Sequence, residues 1–214
     1  MNIIFGYLIT FVYLILVLLI TKKLKMSNKI GEELARKIVH VLVGFSWFSI
    51  YYFLYPSIHF LIPSSMFIIL NYISYKKDIF SMERKENRNL GTVFYALSMT
   101  IISLLALLNF DFLVPSAIGF FCMVIGDGLT PYFSTIFKSR KTINGKTLSG
   151  SIAMFSLSFL VTFIVIQLFK IDINFFEIFI IALFSMFFEL VGKKGLDNLY
   201  VPIGVTIISY FFVI

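Results

Sequence analysis

The sequence predicts an all-α, polytopic integral membrane protein, and three observations carry that reading. Of the 214 residues, 59% are hydrophobic and only 14% are charged, where soluble domains run near 25% charged. Mean hydropathy is +0.97. The charges are also gathered into short clusters between long uncharged runs. This composition excludes an ordinary soluble globular domain, and it excludes disorder, which needs low hydrophobicity. The single cysteine, Cys122, excludes a disulfide framework and any cysteine-based zinc site.

The spans follow in order along the chain. Residues 1–21 carry no charge, and at ~1.5 Å per residue such a run crosses a ~30 Å hydrocarbon core. Its lysines (Lys22, Lys23, Lys25) come after the apolar run rather than before it, which favours a retained helix over a cleaved signal peptide. Residues 38–75 are free of Asp, Glu, Lys and Arg, about twice one span. Tyr55-Pro56-Ser57 is a natural turn near the middle, so the run divides into helices at about 37–54 and 58–75. Further spans are expected at 90–110, at 112–137 (uncharged except for Asp127), at 147–169, at 173–191 (which holds Glu177 and Glu189) and at 199–214. The expectation is about eight transmembrane helices, seven if the short last run does not cross, in a single transmembrane domain over residues 1–214.

The loops give an orientation. Segments 22–37, 76–89, 138–146 and 192–198 hold 17 of the 18 Lys and Arg residues, and Lys170 is the exception. These segments alternate with loops that are nearly free of basic residues. The positive-inside rule makes the basic side the cytoplasm. A multi-pass protein of the cell membrane is expected, with both termini outside.

Four groups of residues at the expected cytoplasmic boundary exceed what topology needs. Arg36 and His40 are four apart, so they share a helix face; they read as a snorkelling anchor with a packed histidine, or as a cationic face aimed at phosphate. Gly126-Asp127-Gly128 places a carboxylate inside a span, which marks a functional site by default; the flanking glycines let a metal or phosphate approach the backbone, and with Pro131 they could break the helix. The loop from Lys138 to Ser151 brings Arg140, Lys141, Lys146, Thr147, Ser149, Gly150 and Ser151 to the start of a long helix. Free N–H groups there favour anions, so the loop reads as a polyphosphate cradle or as a solvated basic loop. Its glycine spacing is not that of a Walker A motif. Glu189 and Asp197-Asn198 supply oxygen ligands suited by type to a hard cation. Acids for Mg²⁺ and bases for phosphate, together at one membrane boundary, form the composition of a phosphoryl- or nucleotidyl-transfer site with a lipid substrate. A transporter would place its acids near mid-bilayer.

These same residues carry a family resemblance. Arg36-Lys37-x-x-His40, Gly126-Asp127-Gly128, the run Lys146-Thr147-x-Ser149-Gly150-Ser151-Ile152-Ala153-Met154-Phe155, and Glu189 with Leu196-Asp197-Asn198-Leu199-x-Val201-Pro202 resemble, in order, the polyprenol kinase family. That family includes phytol kinase, dolichol kinase and CTP-dependent diacylglycerol kinases, and it is distantly similar to CDP-diacylglycerol synthase. Gly91-Thr92 and Tyr95 also look like a family motif. After Gly128 the family usually shows a small residue and further glycines, and here stand Thr130, Pro131, Ser134 and Lys138. The resemblance implies CTP or a related nucleotide as phosphoryl donor, Mg²⁺, and a membrane lipid alcohol as acceptor. It implies Asp127 as the central metal ligand or catalytic carboxylate, Lys146 on phosphate, and Asp197 and Asn198 completing the metal or nucleotide site.

The expected function is therefore a lipid-alcohol kinase of phospholipid or isoprenoid metabolism. Asp127, Lys146 and His40 are its candidate catalytic residues, and Asp127, Glu189, Asp197 and Asn198 its candidate metal ligands. Arg36, Gly126, Gly128, Arg140, Lys141, Thr147, Ser149, Gly150 and Ser151 are expected to line the nucleotide and phosphate. The alternatives are phosphatidate cytidylyltransfer and, from another class, a transporter or non-catalytic scaffold. No nucleic-acid partner is expected, and oligomeric state stays open, with a homodimer among the options.

Overall fold

A computed structural model describes residues 2–77 and 89–214. Most of the expected basic loop 76–89, including Arg84, Lys85 and Arg88, lies outside the described residues. Among those described, the chain is all-helical with no strand, as an α-helical membrane protein requires: with no water in the bilayer core, each backbone polar group must find its partner within the segment. The contacts divide the chain into two compact units, 1–88 and 89–214.

The first unit holds α1 (Ile3–Met26), α2 (Glu32–Leu54) and α3 (Ile62–Lys77). The helix α1 runs past the expected end at residue 21 and through its lysines. Lysine is a good helix former, and Lys23 and Lys25 in the last turn face the negative end of the helix dipole. The helix α2 starts earlier than expected because Glu32 and Glu33 occupy its first turn, where acids are favoured. The two helices are joined by hydrogen bonds as well as packing: Thr10 Oγ1 lies 2.8 Å from Ser49 Oγ, and the Tyr13 hydroxyl donates to Leu42 O at 2.7 Å. Leu8, Leu16, Leu19 and Ile20 of α1 are more than half exposed or close to it, an apolar surface that only lipid or another apolar face suits.

The second unit holds α4 (Gly91–Leu108), α5 (Leu113–Phe121), α6 (Gly128–Ile136), α7 (Leu148–Phe169), α8 (Phe175–Val191) and α9 (Asp197–Val213). Between α5 and α6 the chain makes a π-helical turn, Cys122–Asp127, so the expected span 112–137 is one helical run and is not broken at Pro131. Pro131 has no N–H, and the carbonyls that residue 131 would serve are those of Asp127 in an α-turn and Gly126 in a π-turn. The Thr130 hydroxyl donates to Gly126 O instead, at 2.7 Å. This run is the core of the unit: Ala117, Ile118, Phe120, Cys122, Met123 and Val124 are fully buried. The helix α9 packs along α4, α5 and α8, and α7 packs along α6, α8 and the π turn.

Among the described residues, six helical stretches are long and apolar enough to cross a membrane: Ile3–Met26, Glu32–Leu54, Ile58–Lys76, Gly91–Leu108, Phe110–Ile136 and Leu148–Phe169. The helix α9 is a shorter apolar helix, and α8 has 17 residues. This is the pattern of a multi-pass membrane protein.

Candidate functional site

The site is built in the second unit around three pieces of chain, with Asp127 of the π turn beside them. The first is the loop between α6 and α7, which folds back as a hairpin. Lys141 pairs antiparallel with Thr147, Thr142 N–H donates to Lys146 O at 2.7 Å, and Lys146 N–H donates to Ile143 O at 3.2 Å. Asn144 and Gly145 form the tip with φ of 59° and 78°, the left-handed region that an Asn-Gly pair suits. The Asn144 carboxamide donates to Leu190 O at 2.8 Å and to Val191 O at 3.3 Å. These are carbonyls of the last turn of α8, left without helical partners. The hairpin is thereby tied to the helix that carries Glu189.

That tie brings Lys146 into the cluster. Its Nζ lies 2.5 Å from Glu189 Oε1 and 2.8 Å from Asp197 Oδ2. The Glu189 side chain is 2% exposed, against 15% for Asp197 and 23% for Lys146. Glu189 is thus the most deeply buried charge of the three, and the ammonium is its counter-ion. Asp127, at the end of the π turn, is also buried, and its charge acts on Lys146. Burial pulls the Lys146 pKa down, but Asp197, Glu189 and Asp127 together outweigh it and hold the amine above its ordinary value. Lys146 is therefore charged throughout the physiological range.

The second piece is the start of α9. Asp197 Oδ1 accepts from the Asn198 N–H at 3.1 Å, and the Asn198 carboxamide donates to Gly91 O, at the start of α4, at 3.0 Å. Gly195 has φ +87°, and a Cβ there would stand 2.6 Å from Gly91 Cα, so only glycine lets this loop meet α4. The third piece, the end of α8, supplies Glu189. Glu189 Oε2 and Asn198 Oδ1 are buried and have no hydrogen-bond partner.

The expected Mg²⁺ finds a donor set that suits it by chemistry. Asp127, Glu189, Asp197 and Asn198 offer only oxygen, the ligand type of hard cations. Two of those oxygens are buried acceptors left unpaired, and a buried polar atom without a partner calls for explanation. In this structure the cation among them is Lys146. Among the described residues, no group of three or more His, Cys, Asp or Glu is set to hold a metal ion.

Two expectations at the glycines and hydroxyls need correction. The space beside Gly126 is not open to a ligand: a Cβ there would stand 2.6 Å from Met154 Sδ, so this glycine serves the packing of the π turn against α7. The start of α7 is also not a set of free donors. Leu148 N–H donates to Arg140 O and Ser151 N–H to Thr147 O. Ser149 N–H donates to Ser139 Oγ, and Gly150 N–H to Thr147 Oγ1. The hydroxyls of Ser134, Thr147, Ser149 and Ser139 form one bonded chain. The helix caps itself, so the first-turn N–H groups expected for phosphate are already used. Gly150 closes against Ser134 and Thr130 in the same way.

Of the other expected residues, Gly128 opens α6 with helical φ and ψ, and Arg140 and Lys141 are exposed on the hairpin. Arg36 and His40 belong to α2 of the first unit, where Arg36 pairs with Glu33 at 3.9 Å. Residues outside the expected site set also build the site: Asn144, Ser134 and Ser139. Only Asn144 had a readable signal, the Asn-Gly pair itself.

These features define an α-helical, multi-pass membrane protein with a buried cluster of carboxylates around one lysine. No protein-family model matches the chain, and no curated protein or solved structure is significantly similar to it.

Proposed function

We propose that the protein is a lipid-alcohol kinase that transfers the γ-phosphate of CTP, or of a related nucleotide, to an isoprenoid alcohol or diacylglycerol at the cytoplasmic face of the cell membrane. One observation carries the reading: Lys146 bonds Glu189 and Asp197, 43 and 51 residues away in sequence, and Asp127 acts on the same ammonium. A chain with little charge to spare has gathered four charges from a hairpin, a π turn and two helix ends, and isolated charges of this kind are costly within or near a bilayer. The resemblance to polyprenol kinases, noted above on these same residues, supports the same chemistry.

In this reading eight helices cross, both termini face outward, and the basic hairpin lies in the cytoplasm. The acceptor alcohol reaches the site along the inner leaflet, so its apolar chain stays in lipid. Arg140 and Lys141 on the exposed hairpin draw in the nucleotide's negative charge. Lys146 meets the transferred phosphate, where a fixed cation offsets the charge that develops on it. When bound, Mg²⁺ neutralises triphosphate charge, and Asp127, Glu189, Asp197 and Asn198 would hold it. The reaction forms a bond from the acceptor oxygen to the γ-phosphorus and breaks the bond from that phosphorus to the β,γ-bridging oxygen. The hydroxyl proton leaves to a base, and CDP departs.

The test is transfer of label by purified protein in micelles containing phytol, polyprenol, diacylglycerol or phosphatidate. Label from the γ-phosphate of CTP entering lipid is the expected result. Label from the α-phosphate entering phosphatidate would make the protein a cytidylyltransferase, and transfer of neither would end the enzymatic reading.

A further inference from the structure

We propose that Lys146 is the resident counter-ion of the carboxylate cluster, and that a divalent cation displaces it from Glu189 and Asp197 and so frees its ammonium. The exchange rests on the geometry alone; only what the freed lysine then meets, a nucleotide phosphate, rests on the kinase reading.

Three features point to exchange. One ammonium serves two carboxylates at once: Lys146 Nζ bonds both Glu189 and Asp197. It also has unused acceptors. Glu189 is 1% exposed and its Oε2 has no partner; because Oε1 of the same carboxylate touches Lys146, Oε2 necessarily stands beside the cluster. The Asn198 amide is fixed by its bond to Gly91, which leaves Oδ1 unpaired and buried. Acceptors without donors suit a bare cation better than an ammonium, which carries only three donors. Finally, the displaced group has somewhere to go. Lys146 sits on a hairpin with its side chain partly exposed, and a compact charge on a flexible four-carbon stem can swing outward without emptying an apolar pocket. Glu189 cannot follow, being fixed within α8. A divalent ion held by the two oxygens that Nζ now bonds, Glu189 Oε1 and Asp197 Oδ2, takes the position of Nζ.

The experiment is carried out on the full chain in detergent without nucleotide. Mn²⁺ is titrated, and the free ion is read by electron paramagnetic resonance. The wild type is expected to bind one Mn²⁺ per chain, Lys146→Gln to bind it at least ~10-fold more tightly, and Glu189→Gln to lose it. Equal or weaker binding by a folded Lys146→Gln, or no binding by any form, would overturn the proposal. A second readout needs no variant. The rate at which an acetylating reagent modifies Lys146 in the wild type, followed by mass spectrometry, is expected to rise about tenfold or more with Mn²⁺ but not with NaCl of equal ionic strength. Drawn out of its two ion pairs, the amine meets a reagent from which the carboxylates now shield it. An unchanged rate would also overturn it. Exchange without γ-label transfer would keep the divalent site and remove the kinase; transfer without exchange would do the reverse.

Discussion

Replacing Lys146 by methionine tests whether the buried ion cluster holds the second unit together. The substitution keeps the length of the stem and removes both of its charge-assisted bonds, to Glu189 and Asp197. Bonds to charged groups contribute about 1.5–3 kcal/mol each, and breaking a buried pair costs roughly 3–5 kcal/mol because a charge is left alone. Two facts lower the figure. Lys146 and Asp197 are partly exposed, so water screens their bond, and Glu189 escapes part of the cost by taking up a proton. About 3 kcal/mol remains, on the order of 10 °C in melting temperature by the scaling of domains of this size. Cys122 supplies the assay. It is the only cysteine, it is fully buried beside Ser158 and Thr162 of α7, and a dye that fluoresces on reacting with thiol therefore reports the opening of this unit. The Lys146→Met/Glu189→Gln double variant is expected to melt above Lys146→Met alone, because it no longer leaves a buried carboxylate unpaired. Strict additivity of the two changes, or a Lys146→Met melt equal to wild type, would refute the ion-pair argument.

Other outcomes follow from the same geometry and the same thiol-dye melt. Asn144→Gly keeps the left-handed tip and loses only the bonds to Leu190 and Val191, a cost of about 1 kcal/mol; Asn144→Ala adds the left-handed penalty of roughly 1–2 kcal/mol and should melt lower. Gly195→Ala should be far more damaging than Gly145→Ala: both have positive φ, but the first meets the Gly91 backbone and the second meets open space. The stabilisation that Lys146 gains from its raised pKa is fully present below the ordinary lysine value and is lost only as pH climbs through the raised one. The melting difference between wild type and Lys146→Met should therefore not shrink from pH 7 to 9, and a difference that shrinks across that range would contradict the direction of the shift.

The helical spans were legible because charge is absent from them, and α1 and α2 depart from expectation at charged residues. Glu32 and Glu33 extend α2 backward, and Lys23 and Lys25 extend α1 forward, because helix ends tolerate charge of the right sign. Asp127 was legible as a charge in a costly place, and Lys146, Glu189 and Asp197 as charges at the membrane boundary. Their partners were not. Glu189 looked like one ligand among four, and its direct bond to Lys146, like the Asn144 contact with Leu190, crosses more than 40 residues and no local pattern announces it. The start of α7 misled for the opposite reason. Its hydroxyls were read as ligands for an anion, but Ser and Thr oxygens close to a helix start also cap it, and Thr147 and Ser139 do so here.

The central claim is that this cluster carries out phosphate transfer to lipid. Its most direct test is the γ-label transfer rate of Asp127→Asn beside wild type in the same micelles, with the thiol-dye melt confirming that both are folded. Loss of at least ~100-fold, the scale for removing one group that stabilises a transition state, is the expected result; an intact, folded variant that phosphorylates lipid at the wild-type rate would contradict it.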